Sequence, residues 1–212
     1  MNNIESIING YQDFQDLHFK ENEERFKDLI QNGQKPKALF IGCSDSRVIP
    51  EMITSSDPGE LFIVRNVGNF VAPFKPDEEY HATASAIEYA VGILGVTDVI
   101  ICGHSYCGAI ESLYKEPIYD IDIIHTMKWL DLGKEAKDYA VSNKPNLPKD
   151  ELLRYTEKVS VVFQLNNLMT YPIIQKKLNE KKLFIHGWYY DIVHGKISYY
   201  DNDEKIFKPL GE

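Results

Sequence analysis

The chain is short of several things. It has only three cysteines in 212 residues, too few for a disulfide framework, so a reducing, cytoplasmic compartment is expected. It has no excess of positive charge: 23 Lys and Arg stand against 32 Asp and Glu, a formal net charge of −9. With no basic patch standing out, nucleic acid and anionic membrane surfaces drop out as expected partners. No stretch approaches the roughly 20 apolar residues of a membrane-spanning helix. Met1 to Gln15 has no basic start and no continuous apolar segment, so no signal peptide is read there. Internal repeats, low-complexity tracts and dividing linkers are also missing, so residues 1–212 are expected to form one domain. At 43% hydrophobic and 26% charged residues, a chain of this length reads as globular, with a substantial core.

What is there begins with an amphipathic stripe. Ile4, Ile7, Ile8, Tyr11, Phe14 and Leu17 recur at three- and four-residue steps, which predicts helix over residues 3–33. Glu21 to Glu24 starts a second helix as a solvated face, and Gly33 ends it. Packing of this stripe on the chain's own core is an open alternative to packing on a neighbour. Lys37–Ile41, Leu61–Val64 and Thr97–Cys102 read as buried strands. Helix is expected over 79–94, over 107–114, and over most of 121–143 and 149–181, with breaks at Pro145, Pro148 and Pro172. Leu183–Asp191 and Lys196–Tyr200 read as strands joined at His194-Gly195. The alternation predicts an α/β fold with a mostly parallel central sheet flanked by helices, plus the N-terminal helical arm of residues 1–33.

Two short stretches carry the chemistry. Gly42-Cys43-Ser44-Asp45-Ser46-Arg47 and Gly103-His104-Ser105-Tyr106-Cys107-Gly108 each follow an apolar, β-branched run. Cys43, His104 and Cys107 offer two sulfurs and an imidazole nitrogen, a donor set that suits zinc. Three strong ligands and a nearby Asp45 leave the fourth position weak or exchangeable, the pattern of a catalytic site. The alternative from the residues alone is two buried thiols and a hydrogen-bonded turn histidine. Ligands in open α/β sheets gather beyond the carboxyl ends of strands, so the three groups converge if their two strands are neighbours.

These stretches, in this order and spacing, resemble the β-class carbonic anhydrases. The similarity continues through Pro58-Gly59-Glu60-Leu61-Phe62, Arg65-Asn66-Val67-Gly68-Asn69 and Ser85-Ala86-Ile87-Glu88-Tyr89-Ala90-Val91. It returns at Gly187-Trp188-Tyr189-Tyr190-Asp191 and Gly195-Lys196-Ile197. The resemblance implies a mostly parallel sheet flanked by helices, N-terminal helices lying against a neighbouring subunit, and a homodimer or homotetramer. It implies a lyase, carbonate dehydratase, that hydrates CO2 reversibly to bicarbonate and a proton by hydroxide on one zinc per chain.

Two thiolates cancel the formal charge of the ion, so its water should be less acidic than in a three-histidine site, where the pKa is about 7. A second group must then orient the nucleophile. Asp45 is assigned as the acceptor, held by the planar fork of Arg47; both are the expected catalytic residues. The resemblance places this Asp either on the Arg or on zinc as a fourth ligand, so the expected metal set is Cys43, Asp45, His104 and Cys107. Without the flanking ligand, Asp45 and Arg47 read as a turn salt bridge.

Other residues are secondary. Ser44, Ser46 and Ser105 are expected to donate to thiolates or to shape turns, and Gly42, Gly103 and Gly108 to permit close backbone approach. Cys102 reads as a small buried hydrophobe. His81, His125, His186 and His194 are candidate proton relays, each weighed against an ordinary surface histidine, and His18 carries no signal. Phe40, Val67 and Tyr89 are candidates for an apolar CO2 pocket, weighed against core packing. Some bacterial family members carry Trp at the position of Phe40, as part of a second, non-catalytic bicarbonate site. Phe40 argues against that site here, while Arg65 keeps it open. Competing functions are hydrolysis of CS2 or COS on the same fold, and a non-enzymatic zinc protein; Asp45 with Arg47 argues against the last.

Overall fold

A computed structural model describes residues 4–77, 79–116 and 120–211. The chain begins with α1 (Ile4–Asp13), which passes through a wider π-turn into α2 (Phe19–Asn32); Gly33, at φ 75°, ends it. Then come β1 (Ala38–Cys43), α3 (Pro50–Thr54), β2 (Leu61–Asn66), α4 (Ala82–Glu88), β3 (Asp98–His104) and α5 (Gly108–Ser112). They are followed by α6 (Ile124–Leu130), α7 (Lys134–Asn143), α8 (Lys149–Leu168), α9 (Pro172–Asn179), β4 (Phe184–Asp191), β5 (Lys196–Asp201) and β6 (Ile206–Pro209).

The strands form one sheet in the order β2-β1-β3-β4-β5-β6. The first four run parallel, and β5 and β6 extend the sheet as an antiparallel meander. β1 and β3 are buried along nearly their whole length, which is why their sequences are continuous apolar runs rather than alternations. Leu39, Ile41, Val99 and Ile101 are fully buried in the main core with Val161, Leu165 and Leu168 of α8. Each such side chain contributes about 1.5–3 kcal/mol relative to exposure. The expected α/β class and mostly parallel sheet are what the chain forms.

The described residues differ from these expectations in three places. Two strands expected to end at Ile41 and Cys102, before the glycines of the motifs, run on through both, pairing Gly42 with Cys102 and Gly103 with Tyr189. Cys43 and His104 are therefore the last residues of their strands. The expected helix over 79–94 starts only at Ala82 and widens into a π-turn over Tyr89–Leu94. β6 and α3 were not anticipated, being four and five residues long and carrying little periodicity.

The arm is unlike the rest. Neither α1 nor α2 buries a single residue. Ile7 is 67% and Ile30 81% exposed, and Ile4, Ile8, Tyr11 and Leu17 also face outward. Of the two alternatives for the stripe, packing on the chain's own core is therefore excluded for the described residues. Residues 1–3 of the arm lie outside the described residues.

Candidate metal centre

β1 and β3 are hydrogen-bonded neighbours, so their carboxyl ends deliver Cys43 and His104 side by side. The next turn brings Cys107, which caps the start of α5. Ligand atoms of Cys43, His104 and Cys107 all lie within 4.8 Å of one another. All three residues are buried, His104 being 1% exposed.

The histidine is held in a ligating posture. Its Nδ1 lies 2.9 Å from the carbonyl oxygen of Ser105, and a carbonyl only accepts, so Nδ1 carries the proton. Nε2 is then left with a bare lone pair. It is buried without any hydrogen-bond partner, although buried polar atoms are nearly always paired. A buried, unpartnered imidazole nitrogen facing two sulfurs fits a soft or borderline cation.

The thiols are not ordinary either. The Cys43 thiol is pulled down to about 4, first by the neighbouring Cys107 thiol, then by His104 and by backbone N–H groups. One of these is the Gly68 N–H, 3.4 Å from Sγ. Gly68 sits at φ 80°, and a Cβ there would meet Phe70 at 2.7 Å, so only glycine turns its N–H toward the sulfur. Cys107 is pushed up, chiefly by Cys43 and by burial. The pair thus shares one proton. Burial opposes charge on His104, but the Cys43 thiolate outweighs it and raises the imidazole's pKa.

Asp45 does not join this cluster; both its oxygens are taken by Arg47. Nε donates to Oδ1 at 2.9 Å and Nη2 to Oδ2 at 2.7 Å, and the Arg47 backbone N–H adds a third bond to Oδ1 at 3.0 Å. This pairing holds the Asp45 carboxyl well below the usual carboxylate range. Nη2 also donates to the carbonyl of Tyr106 at 3.0 Å, which ties the loop of Cys43 to the turn of Cys107. Arg65 braces the same loop, donating to the carbonyls of Cys43 at 3.0 Å and Asp45 at 2.7 Å.

A cavity of about 1200 Å³ reaches Ser44, the residue after Cys43, though no residue of the cluster lines it. Ser44, Asn66 and Val67 form its near wall, and Phe74, His81, His125 and Trp129 are among the residues further out. Val67 is 43% exposed and lines this space, so packing in the core is not its role. Phe40 is fully buried against Trp188, and the Tyr89 ring lies tilted against that of Phe62; neither lines the cavity.

The remaining candidates scatter. Cys102 is fully buried among Ala38, Phe40 and Ile100, apart from the cluster, and burial pushes its thiol up to about 12. His81, His186 and His194 each pair with a carboxylate, of Asp77, Asp98 and Asp191 respectively. Ser105 braces the turn, its hydroxyl accepting from the Ile192 N–H at 2.9 Å. Gly103 does permit close approach, since a Cβ would meet Val161 at 2.5 Å, whereas one at Gly108 would meet nothing within 4 Å.

Sequence reasoning missed Glu157. It lies on α8, 2% exposed, where a charged residue in a helical run looks like a solvated face. Burial pushes its carboxyl up, while Tyr189, Arg154 and the Cys107 N–H pull it back. The one available signal is its spacing: Leu153, Glu157, Ser160, Gln164 and Leu168 share the buried stripe of α8.

Comparison with known proteins places this arrangement. A family profile described as carbonic anhydrase matches residues 38–197. A carbonic anhydrase of Pseudomonas aeruginosa is 37% identical over 99% of this chain and 93% of its own length. One from Helicobacter pylori is 38% identical over 92% of both. Among solved structures, the β-carbonic anhydrase CcaA superposes with a TM-score of 0.93 at 33% identity, covering 100% of this chain and 94% of that one. One of two tetrameric β-carbonic anhydrases from Sordaria macrospora gives 0.81 at 28%, covering 100% and 98%.

Proposed function

The chain belongs to the β-carbonic anhydrase family, and from that premise we propose that it is a zinc enzyme catalysing the reversible hydration of CO2 to bicarbonate and a proton. The observation that carries this reading is the buried, unpartnered Nε2 of His104 beside two thiols, with the Asp45–Arg47 pair next to it. Cys43, His104 and Cys107 would hold one zinc ion per chain. When bound, zinc supplies the Lewis acidity that makes water a nucleophile near neutral pH.

The residues divide the remaining work. Asp45, kept ionised by Arg47, is an acceptor only, so it takes a hydrogen bond from the attacking water and turns its lone pair toward the substrate. Arg47 clamps the carboxylate on two oxygens and stops it from turning toward the thiolates and taking the fourth ligand position. Ser105 fixes the His104 tautomer through its carbonyl.

The exposed apolar stripe of the arm supports a homo-oligomer, dimer or tetramer, since apolar faces of this extent seek cover. No helix among the described residues is long and apolar enough to cross a membrane. A cytoplasmic location is proposed from the free thiols and the reducing compartment they favour.

Stopped-flow mixing of the zinc-loaded protein with CO2 tests the reaction, with COS and CS2 in parallel and release of hydrogen sulfide as their readout. Rapid proton release from CO2, with little sulfide from the other two, is expected. Sulfide release without CO2 hydration would move the chain to the alternative substrates, and inertness toward all three would leave a non-enzymatic zinc protein.

A further inference from the structure

Glu157 is sealed under the metal turn, 2% exposed. Its Oε1 accepts the Cys107 backbone N–H at 3.0 Å and Arg154 Nη2 at 2.6 Å. Its Oε2 accepts the Tyr189 hydroxyl at 2.8 Å. A carboxylate taken out of water is costly unless every lone pair is answered by good geometry, and here the answers come from three separate elements: the metal turn, α8 and β4.

The approach of α8 is made by glycines. A Cβ at Gly103 would lie 2.5 Å from Val161, and one at Gly187 would lie 2.8 Å from Leu165 and 3.0 Å from Val161. With hydrogen at both positions, α8 settles on β3 and β4, and Glu157, one turn before Val161, reaches beneath Cys107. Arg154 extends the brace, its guanidinium carbon lying 3.9 Å from the centre of the Tyr106 ring. Tyr106 itself holds a left-handed φ of 60°, a conformation a bulky residue keeps only when its surroundings impose it. The backbone on both sides of the Ser105-Tyr106 turn is thereby pinned from below.

We propose that Glu157 is a positioning residue for the metal ligand Cys107, holding its backbone so that its sulfur stays on the Cys43–His104 cluster before and after metal binding. This rests on the reading of that cluster as the zinc site. The carboxylate acts through the Cys107 N–H and touches neither metal nor substrate. Its effect therefore falls on metal affinity and ligand geometry.

The test uses the full chain, with zinc affinity measured by chelator competition and the thiolate-to-metal absorption of the cobalt(II)-substituted protein as a second readout. Glu157→Ala is expected to bind zinc about 10- to 100-fold more weakly and to show an altered cobalt–thiolate band. Glu157→Gln keeps an acceptor for the Cys107 N–H and is expected to stay close to wild type in both. Leu168→Ala, further along the same helix and fully buried, loosens α8 without touching the turn and should leave affinity and spectrum unchanged. If Glu157→Ala does not fold, the double variant Glu157→Leu with Arg154→Leu removes both charges together and leaves neither orphaned; it should show the same loss. Wild-type affinity and spectrum in the Ala or double variant would overturn the proposal, as would an equal loss in Leu168→Ala or in the Gln variant. Failure of the wild-type chain to bind zinc would instead overturn the zinc reading, and this proposal with it.

Discussion

Arg47→Ala removes three side-chain hydrogen bonds at once, two to Asp45 and one to the Tyr106 carbonyl. Buried charge-assisted bonds are worth roughly 1.5–3 kcal/mol each. This pair is not buried: the side chains are 49% and 15% exposed, so solvent screening brings its stability contribution to about 0.2–1 kcal/mol. In a chain of this size, 1 kcal/mol moves Tm by about 2–4 °C. The catalytic cost is larger. Loss of a partner that orients a group beside a metal site typically costs about 10- to 100-fold, equivalent to about 1.4–2.7 kcal/mol of barrier. A released Asp45 is free to take the fourth ligand position, so the loss should persist at alkaline pH, where the wild-type rate is expected to be highest because two thiolates make the metal-bound water less acidic. Zinc content should stay near one per chain, because Arg47 is not a ligand. The sign at low pH follows from the depressed Asp45 carboxyl. The pair's stabilisation is present above the ordinary carboxylate value and disappears as pH falls through the lower folded one, so the variant's acid unfolding limb should be shallower. Stopped-flow rates across pH, zinc analysis and acid melts on both proteins check this. Wild-type rates at every pH would reduce the pair to a turn salt bridge.

Zinc uptake near pH 9 should release one proton from the thiol pair, because Cys43 is already a thiolate and Cys107 holds the shared proton, and up to one more from the water the metal would bind. As pH falls through its raised value, His104 adds up to one further proton; calorimetry in buffers of different ionisation enthalpy measures the total, and more than two protons at pH 9 would contradict the shared-proton picture. Deleting residues 1–33 should lower the oligomeric state in sedimentation or the melting temperature, since the arm buries none of its described residues within its own subunit. A full-length protein that is monomeric, folded and active would refute that role. Gly103→Ala places a Cβ 2.5 Å from Val161, and overpacking of this kind costs about 1–3 kcal/mol; an unchanged denaturant midpoint would show that α8 can give way.

The fold was legible where burial imposes continuous apolar runs. β1 and β3 announce themselves through Leu39-Phe40-Ile41 and Val99-Ile100-Ile101, but their adjacency was only a condition in the sequence, because alternation of strands and helices does not fix whether β1 pairs with β3; the structure pairs them. Their ends were not legible, because a glycine reads as a stop whether or not the ladder passes through it. The three cluster residues were visible because Cys and His are chemically scarce and their local spacing is tight. Glu157 was invisible for the opposite reason. Carboxylates are common on helices, and beyond its place on the buried stripe of α8 it is the tertiary approach of that helix, set by Gly103 and Gly187, that distinguishes this one. Val67, named as a candidate for an apolar pocket and weighed against core packing, lines the cavity wall.

The central claim is that CO2 hydration occurs at a single zinc held by Cys43, His104 and Cys107. Its most direct measurement follows the hydration rate while metal-stripped protein is titrated back with zinc. The rate should be negligible at the start, rise in proportion to bound zinc and level off at one ion per chain, while Cys43→Ser stays at the baseline. Hydration by the stripped protein, or a fully zinc-loaded protein that leaves CO2 untouched, would contradict it.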